Sequence, residues 1–161
     1  MKKFILMMFV MLSTATISQA QIIKFTATVG DPELDNLLTD IHNQAIKDIT
    51  AFHNNVVSTF NIVGAKVDAA LKILAPGDVY MAAQLSVSVG KPFDEVVATY
   101  QKNKSKGWGA IAKDLGIKPG SAEFHAMKKS MKSKGGKGNG KGDASKGNGN
   151  SKGNSGKGKK K

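Results

Sequence analysis

Cysteine and arginine are both missing from this 161-residue chain. Without cysteine there can be no disulfide, no thiolate metal site and no cysteine nucleophile. Without arginine every one of the 24 cationic side chains is a lysine. Lysine is a strongly hydrated point charge and lacks the flat fork that reads phosphate, carboxylate or guanine bidentately. A basic character built from lysine alone suits diffuse attraction more than precise recognition. No GxSxG, HExxH or P-loop pattern occurs, so the usual signatures of hydrolase, zinc-protease and nucleotide chemistry are absent. Asp94-Glu95 is the only adjacent acid pair, and its place at a helix start is explained by the helix dipole.

What the chain does have is an uneven distribution of charge. The formal net charge is +12. Between Gln21 and Lys129 twelve lysines face eleven acids, so the middle of the chain is close to neutral. The excess lies at the two ends. Lys2 and Lys3 precede the apolar run Phe4 to Leu12, and a polar stretch follows with Ser18 and Ala20 at the small-residue positions that signal peptidase requires. This order is that of a secretory signal, and the run is too short to span a bilayer. Residues 1–20 are therefore read as a signal peptide, which implies export to the periplasm or outside the cell.

The remaining chain divides into an arm, a helical domain and a tail. Residues 21–30 are β-branched and partly alternating, the pattern of an extended arm lying on helices. Asp31, Pro32 and Glu33 form a helix start. Leu34, Leu38, Ile41, Ala45, Ile49, Phe52 and Val56 then recur at three- and four-residue steps, which predicts one long helix ending near Phe60. A shorter helix is expected from Ile62 to Leu74. Pro76-Gly77 breaks the chain and Asp78 is read as the cap of the next helix. Val79 to Val89 is apolar nearly all round, the mark of a central buried helix. Further helices are expected from Asp94 to Lys104, from Gly107 to Leu115 and after Ser121. The fold class is all-α, a small irregular, orthogonal bundle of about six helices over residues 31–130.

The segment GWGAIAKDLGIKPGSAEFHAMKK, with GDVYMAAQLSVSVGKPFDEVVATYQKNKSKG upstream, resembles a group of uncharacterised exported bacterial proteins. They share a GWG-x-IAK-x-LGIKPGS-x-EFHA-type signature near the C-terminus. The resemblance spans Asp78 to Lys129 and implies a small exported helical domain. It brings no activity with it.

Several residues invite a functional reading. Trp108 stands between Gly107 and Gly109, which admit close approach of a ligand or of another backbone. The ring is read as a packing anchor first and a stacking platform second. Residues 107–129 resemble a helix-turn-helix unit, but the second helix offers Glu123 and His125 early and lysines late, a poor set for reading bases. His42 and His53, three turns apart on one predicted helix, are too distant to ligate one ion. No metal, cofactor or catalytic residue is assigned, and the protein is read as not an enzyme. Lys91, Lys102, Lys104, Lys106, Lys113 and Lys118 are read as a solvated face first and as a continuation of the tail's basic surface second.

Residues 131–161 are almost wholly Gly, Lys, Asn and Ser and are expected to be a disordered tail, with too little apolar surface to fold. A tail of this composition spans roughly 30 Å on average. Ten lysines, Lys132, Lys134, Lys137, Lys141, Lys146, Lys152, Lys157, Lys159, Lys160 and Lys161, stand against the single acid Asp143. With no aromatic to stack on bases, they predict binding to polyanions with little selectivity and a log–log salt slope of up to about −9. The expected partners are lipopolysaccharide, acidic polysaccharide or extracellular DNA. The alternatives are a nucleic-acid-binding role for the 107–129 unit, or an envelope protein whose tail is only a spacer. The helical domain itself would supply a separate protein contact or self-association.

Overall fold

A computed structural model describes residues 24–135; the signal-like segment and the tail lysines from Lys137 onward lie outside the described residues. The described residues are all-helical, without strands. Seven α-helices follow one another: α1 Pro32–Ala45, α2 Ile49–Phe60, α3 Gly64–Leu71, α4 Pro76–Val89, α5 Phe93–Asn103, α6 Gly107–Asp114 and α7 Ala122–Gly135. A short 3-10 turn, Lys104–Lys106, joins α5 to α6.

The bundle is organised around α4. From Gly77 to Ser86 every residue of this helix is buried. An α-helix that is apolar all round has no face for water, so its neighbours must surround it. Accordingly α1, α2, α3, α5 and α7 all pack against α4. Leu34, Leu38, Ile41 and Ala45 supply the inward stripe of α1, and Phe52, Val56 and Phe60 that of α2.

The long first helix expected from periodicity is instead two helices. Ile46 and Lys47 form a turn, and Asp48 leaves helical geometry to cap α2, accepting the Ala51 N–H at Oδ1 across 2.9 Å. Asp is poor in a helix interior and strong as an N-cap, a difference of about 1 kcal/mol or more. Ile49, assigned to the stripe, is 46 % exposed and Ile46 is 61 % exposed. The break lets α1 and α2 meet α4 separately.

The arm behaves as alternation suggests. Phe25 and Ala27 are half-buried and Val29 is buried, while Lys24, Thr26 and Thr28 are exposed. It has no helix or strand of its own. At the other end, helix α7 passes the boundary placed at residue 130 and continues through Gly135, because Met131 is fully buried.

Candidate functional site: a buried carboxylate, a threaded arm and a basic C-terminal helix

Asp78 does not cap α4. The N-cap is Ala75, with Pro76 in the first turn, and no side chain caps the helix. Asp78 lies two residues further on and is only 3 % exposed. Its Oδ1 accepts the indole N–H of Trp108 at 2.7 Å and the hydroxyl of Tyr100 at 2.9 Å. The two rings lie parallel, with centroids 4.0 Å apart and planes 5° apart. Helix α5 supplies Tyr100 and α6 supplies Trp108, so one carboxylate oxygen ties three helices together. Aromatic residues with a polar tip need a partner when buried, and here both tips share one.

Burial pushes the Asp78 carboxyl above its ordinary range, against the opposing pull of the two hydrogen bonds. The same burial, together with the Asp78 charge, pushes the Tyr100 hydroxyl up, so it stays protonated and donating. On the far side His42 is held below its usual value by burial, opposed by the nearby Asp78 charge. Its ring stacks on Phe25 at 4.6 Å, and its Nδ1 is buried without a hydrogen-bond partner among the described residues.

The arm crosses this cluster along three glycines. A Cβ at Gly77 would lie 2.5 Å from the Phe25 ring. A Cβ at Gly107 would lie 2.9 Å from the Thr28 carbonyl oxygen, and one at Gly109 would overlap the Val29 carbonyl. The Gly109 N–H donates to the Thr28 carbonyl at 3.1 Å, and the Trp108 N–H to Thr28 Oγ1 at 3.3 Å. The glycines around Trp108 therefore admit the protein's own backbone. Trp108 is 0 % exposed, so the ring has no face open for stacking on a base or sugar. Buried between three helices, the Asp78 cluster is a polar joint of the core.

A second cluster fixes α7 to the start of α1. Asp31 caps α1 through the N–H groups of Glu33 and Leu34. Lys128 bridges both oxygens of Asp31, at 2.9 and 2.8 Å, and reaches Glu33 at 2.7 Å; Lys132 also pairs with Glu33. The hydrogen bonds from Lys128 hold Asp31 and Glu33 below the ordinary carboxylate range. Lys134 rests over the Phe60 ring, 5.1 Å from its centroid. Lys132 and Lys134, counted above with the tail, thus belong to a helix anchored on the body. Lys137, Lys141, Lys146, Lys152, Lys157, Lys159, Lys160 and Lys161 lie outside the described residues.

The helix-turn-helix likeness of 107–129 stops at the sequence. Helix α6 packs on α5, whereas α7 packs on α4 and α1. The face of α7 carrying Phe124, Met127 and Met131 is buried in the body. The histidines fall on separate elements: His42 on α1, His53 on α2 beside Asp68 at 3.2 Å, and His125 on exposed α7 surface. Among the described residues no three His, Asp or Glu side chains gather as a metal site would need. Asp94 pairs with Lys66 at 2.6 Å and Glu95 with Lys91. Of the lysines read as a solvated face, Lys91 and Lys106 have acid partners, Glu95 and Asp114.

No protein-family model, curated protein or solved structure matches this chain. No helix among the described residues is long and apolar enough to cross a membrane.

Proposed function

We propose that this is an exported, non-enzymatic helical protein that associates with anionic polymers of the cell surface or its surroundings through the lysines that follow Gly135. One observation carries this reading. Eight lysines stand against one acid in residues 136–161, while the body before them is close to charge balance. Near the junction the pairing of Lys128 and Lys132 with Asp31 and Glu33 spends local basic charge inside the fold. With residues 1–20 set aside, the segment beyond holds most of the net positive charge.

The chemistry of that segment sets the selectivity. Lysines spaced by Gly, Asn and Ser, with neither arginine nor aromatics, bind phosphate or carboxylate polymers by counterion release, without reading sequence or sugar. Lipopolysaccharide, acidic polysaccharide and extracellular DNA share the property that matters. Full engagement of eight lysines gives a log–log salt slope of about −7 on duplex DNA. The test compares the full chain with one ending at Gly135, titrated with salt on duplex DNA, on lipopolysaccharide and on neutral dextran. The expected result is tail-dependent, salt-sensitive retention on both anionic surfaces. Equal retention of the two chains at low salt would sink the reading.

A further inference from the structure

Charge in the body is near balance in sum but not in place. Residues 101–118 hold five lysines and one acid, Asp114, while the rest of residues 21–135 hold nine lysines and ten acids. Lys102 lies in the last turn of α5, Lys104 and Lys106 in the 3-10 turn, and Lys113 in the last turn of α6. Lys106 reaches Asp114 at 3.9 Å, which brings the end of α6 back to that turn. All four lysines are exposed. We propose that this corner, where α5 turns into α6, is a second cationic surface, built into the fold, that docks on the phosphate groups of a lipid surface. It rests on the reading of an anionic partner outside the cell and adds the body to a contact otherwise left to the residues beyond Gly135.

The way the body treats its other lysines is the reason. Lys66 pairs with Asp94, Lys91 with Glu95, and Lys128 and Lys132 with the acids that open α1. Lys102, Lys104 and Lys113 have no acid partner among the described residues. The helix dipole accounts for a cation in the last turn of α5 and another in that of α6. It does not account for the two in the turn between them. Like charges this close repel one another, and a facing polyanion removes that cost.

The corner has the chemistry of a phosphate surface more than of a base or sugar reader. No aromatic side chain is exposed among the described residues, and arginine is absent. Nothing there can stack on a ring or fork onto a base edge. Lysine meets phosphate as a point charge, and a dense phosphate surface asks for no more. Helix α5 packs on α3, α4 and α6, whereas α7, which leads to the C-terminal lysines, packs on α4 and α1. The two basic regions therefore start from different places on the body. A Gly-rich stretch the length of residues 136–161 spans roughly 25–30 Å, so both can meet one extended surface and strengthen each other by local concentration.

The test uses the full chain and two triple variants of equal charge. One carries Lys102→Gln, Lys104→Gln and Lys113→Gln. The control carries Lys24→Gln, Lys72→Gln and Lys129→Gln, exposed lysines elsewhere on the body. Binding is read by cosedimentation with phosphatidylcholine vesicles containing phosphatidic acid, and separately on duplex DNA. A lysine at an anionic lipid surface is worth about fivefold in affinity, so the corner variant should bind the vesicles roughly a hundredfold more weakly and the control at most about fivefold. Equal losses in the two variants would overturn the proposal, because charge placed anywhere would then serve. So would native-like vesicle binding by the corner variant, or a larger loss on duplex DNA than on vesicles, which would assign the corner to nucleic acid. A chain ending at Gly135 that binds vesicles as tightly as the full chain would sink the tail reading and support the corner.

Discussion

Trp108 donates its indole N–H to Asp78 Oδ1 across 2.7 Å and thirty residues of sequence. The bond joins the first turn of the central helix to the first turn of α6, and Tyr100 donates to the same oxygen. Asp78→Ala leaves two buried donors unpaired and is expected to cost about 2–5 kcal/mol. Trp108→Phe keeps most of the ring but loses the N–H. If the pair acts as a unit, the double variant should recover about 1–3 kcal/mol of the summed single losses. Urea denaturation of the four proteins checks this, and strict additivity would mean that the bond contributes little.

Acid stability should show two opposed trends. Asp31 is held low by the Lys128 hydrogen bonds. A carboxyl with a lowered folded pKa contributes stability that is present above its unfolded value and is lost as pH falls through the folded one. Asp78 is raised above 3.8 by burial. The folded state then holds the proton more tightly than the unfolded chain, so stability rises as pH falls through the Asp78 folded value and levels off below its unfolded one. On acidification the native protein should hold or gain stability before losing it. Asp78→Asn removes the gain, and its urea midpoint should fall without a plateau between about pH 7 and 3. Parallel curves would show that Asp78 does not titrate in this window.

Much of the fold could be read from the sequence because its helices announce themselves locally. Val79 to Val89 is apolar on every side, and Pro76 and Gly90 bracket it, so a buried central helix follows from composition alone. The alternation of Phe25, Ala27 and Val29 gives an arm with one face inward. Periodicity hid the break at Asp48: Ile49 happens to keep the helical spacing, and only the capping preference of Asp marks the new start. The role of Asp78 was hidden for the opposite reason. An acid just after Pro-Gly suits a cap, and its true partners are thirty and twenty-two residues away. A signal was present nonetheless. Tyr100 and Trp108 are polar-tipped aromatics beside a bundle core with few polar groups, and each needs an acceptor. That the buried Tyr80 hydroxyl has no partner among the described residues left no trace, since a tyrosine in an apolar helix looks the same paired or unpaired.

Gly109 is a steric requirement of the arm. Its Cβ would occupy the space of the Val29 carbonyl, which is backbone and cannot rotate away. Gly109→Ala should displace the arm, break the Gly109 N–H to Thr28 bond and uncover Trp108. The expected readouts are faster amide exchange at Gly109 and a red-shifted tryptophan emission. At Gly77 the obstacle is the Phe25 ring, a side chain that can swing out. Gly77→Ala should therefore cost less, and Phe25→Ala should relieve it in part, because the Leu38 carbonyl would still lie 3.1 Å from the new Cβ. No rescue of Gly109→Ala is expected from Phe25→Ala.

The point where the body ends can be settled by two truncations. Ending the chain at Gly135 removes only residues beyond the described fold, and the melting temperature should not change. Ending it at Ser130 also removes Met131, which is fully buried, together with the Lys132 partner of Glu33 and the Lys134 cover of Phe60. Losing a buried methionine side chain alone costs about 2–5 kcal/mol, enough to lower the melting temperature of a body this size by several degrees. The shorter chain should also lose protection at Ile41 and Phe60. Equal melting of the two truncations would place the last five residues of α7 outside the cooperative unit. Unequal melting would place Lys132 and Lys134 in the cooperative fold, as their contacts with Glu33 and Phe60 do.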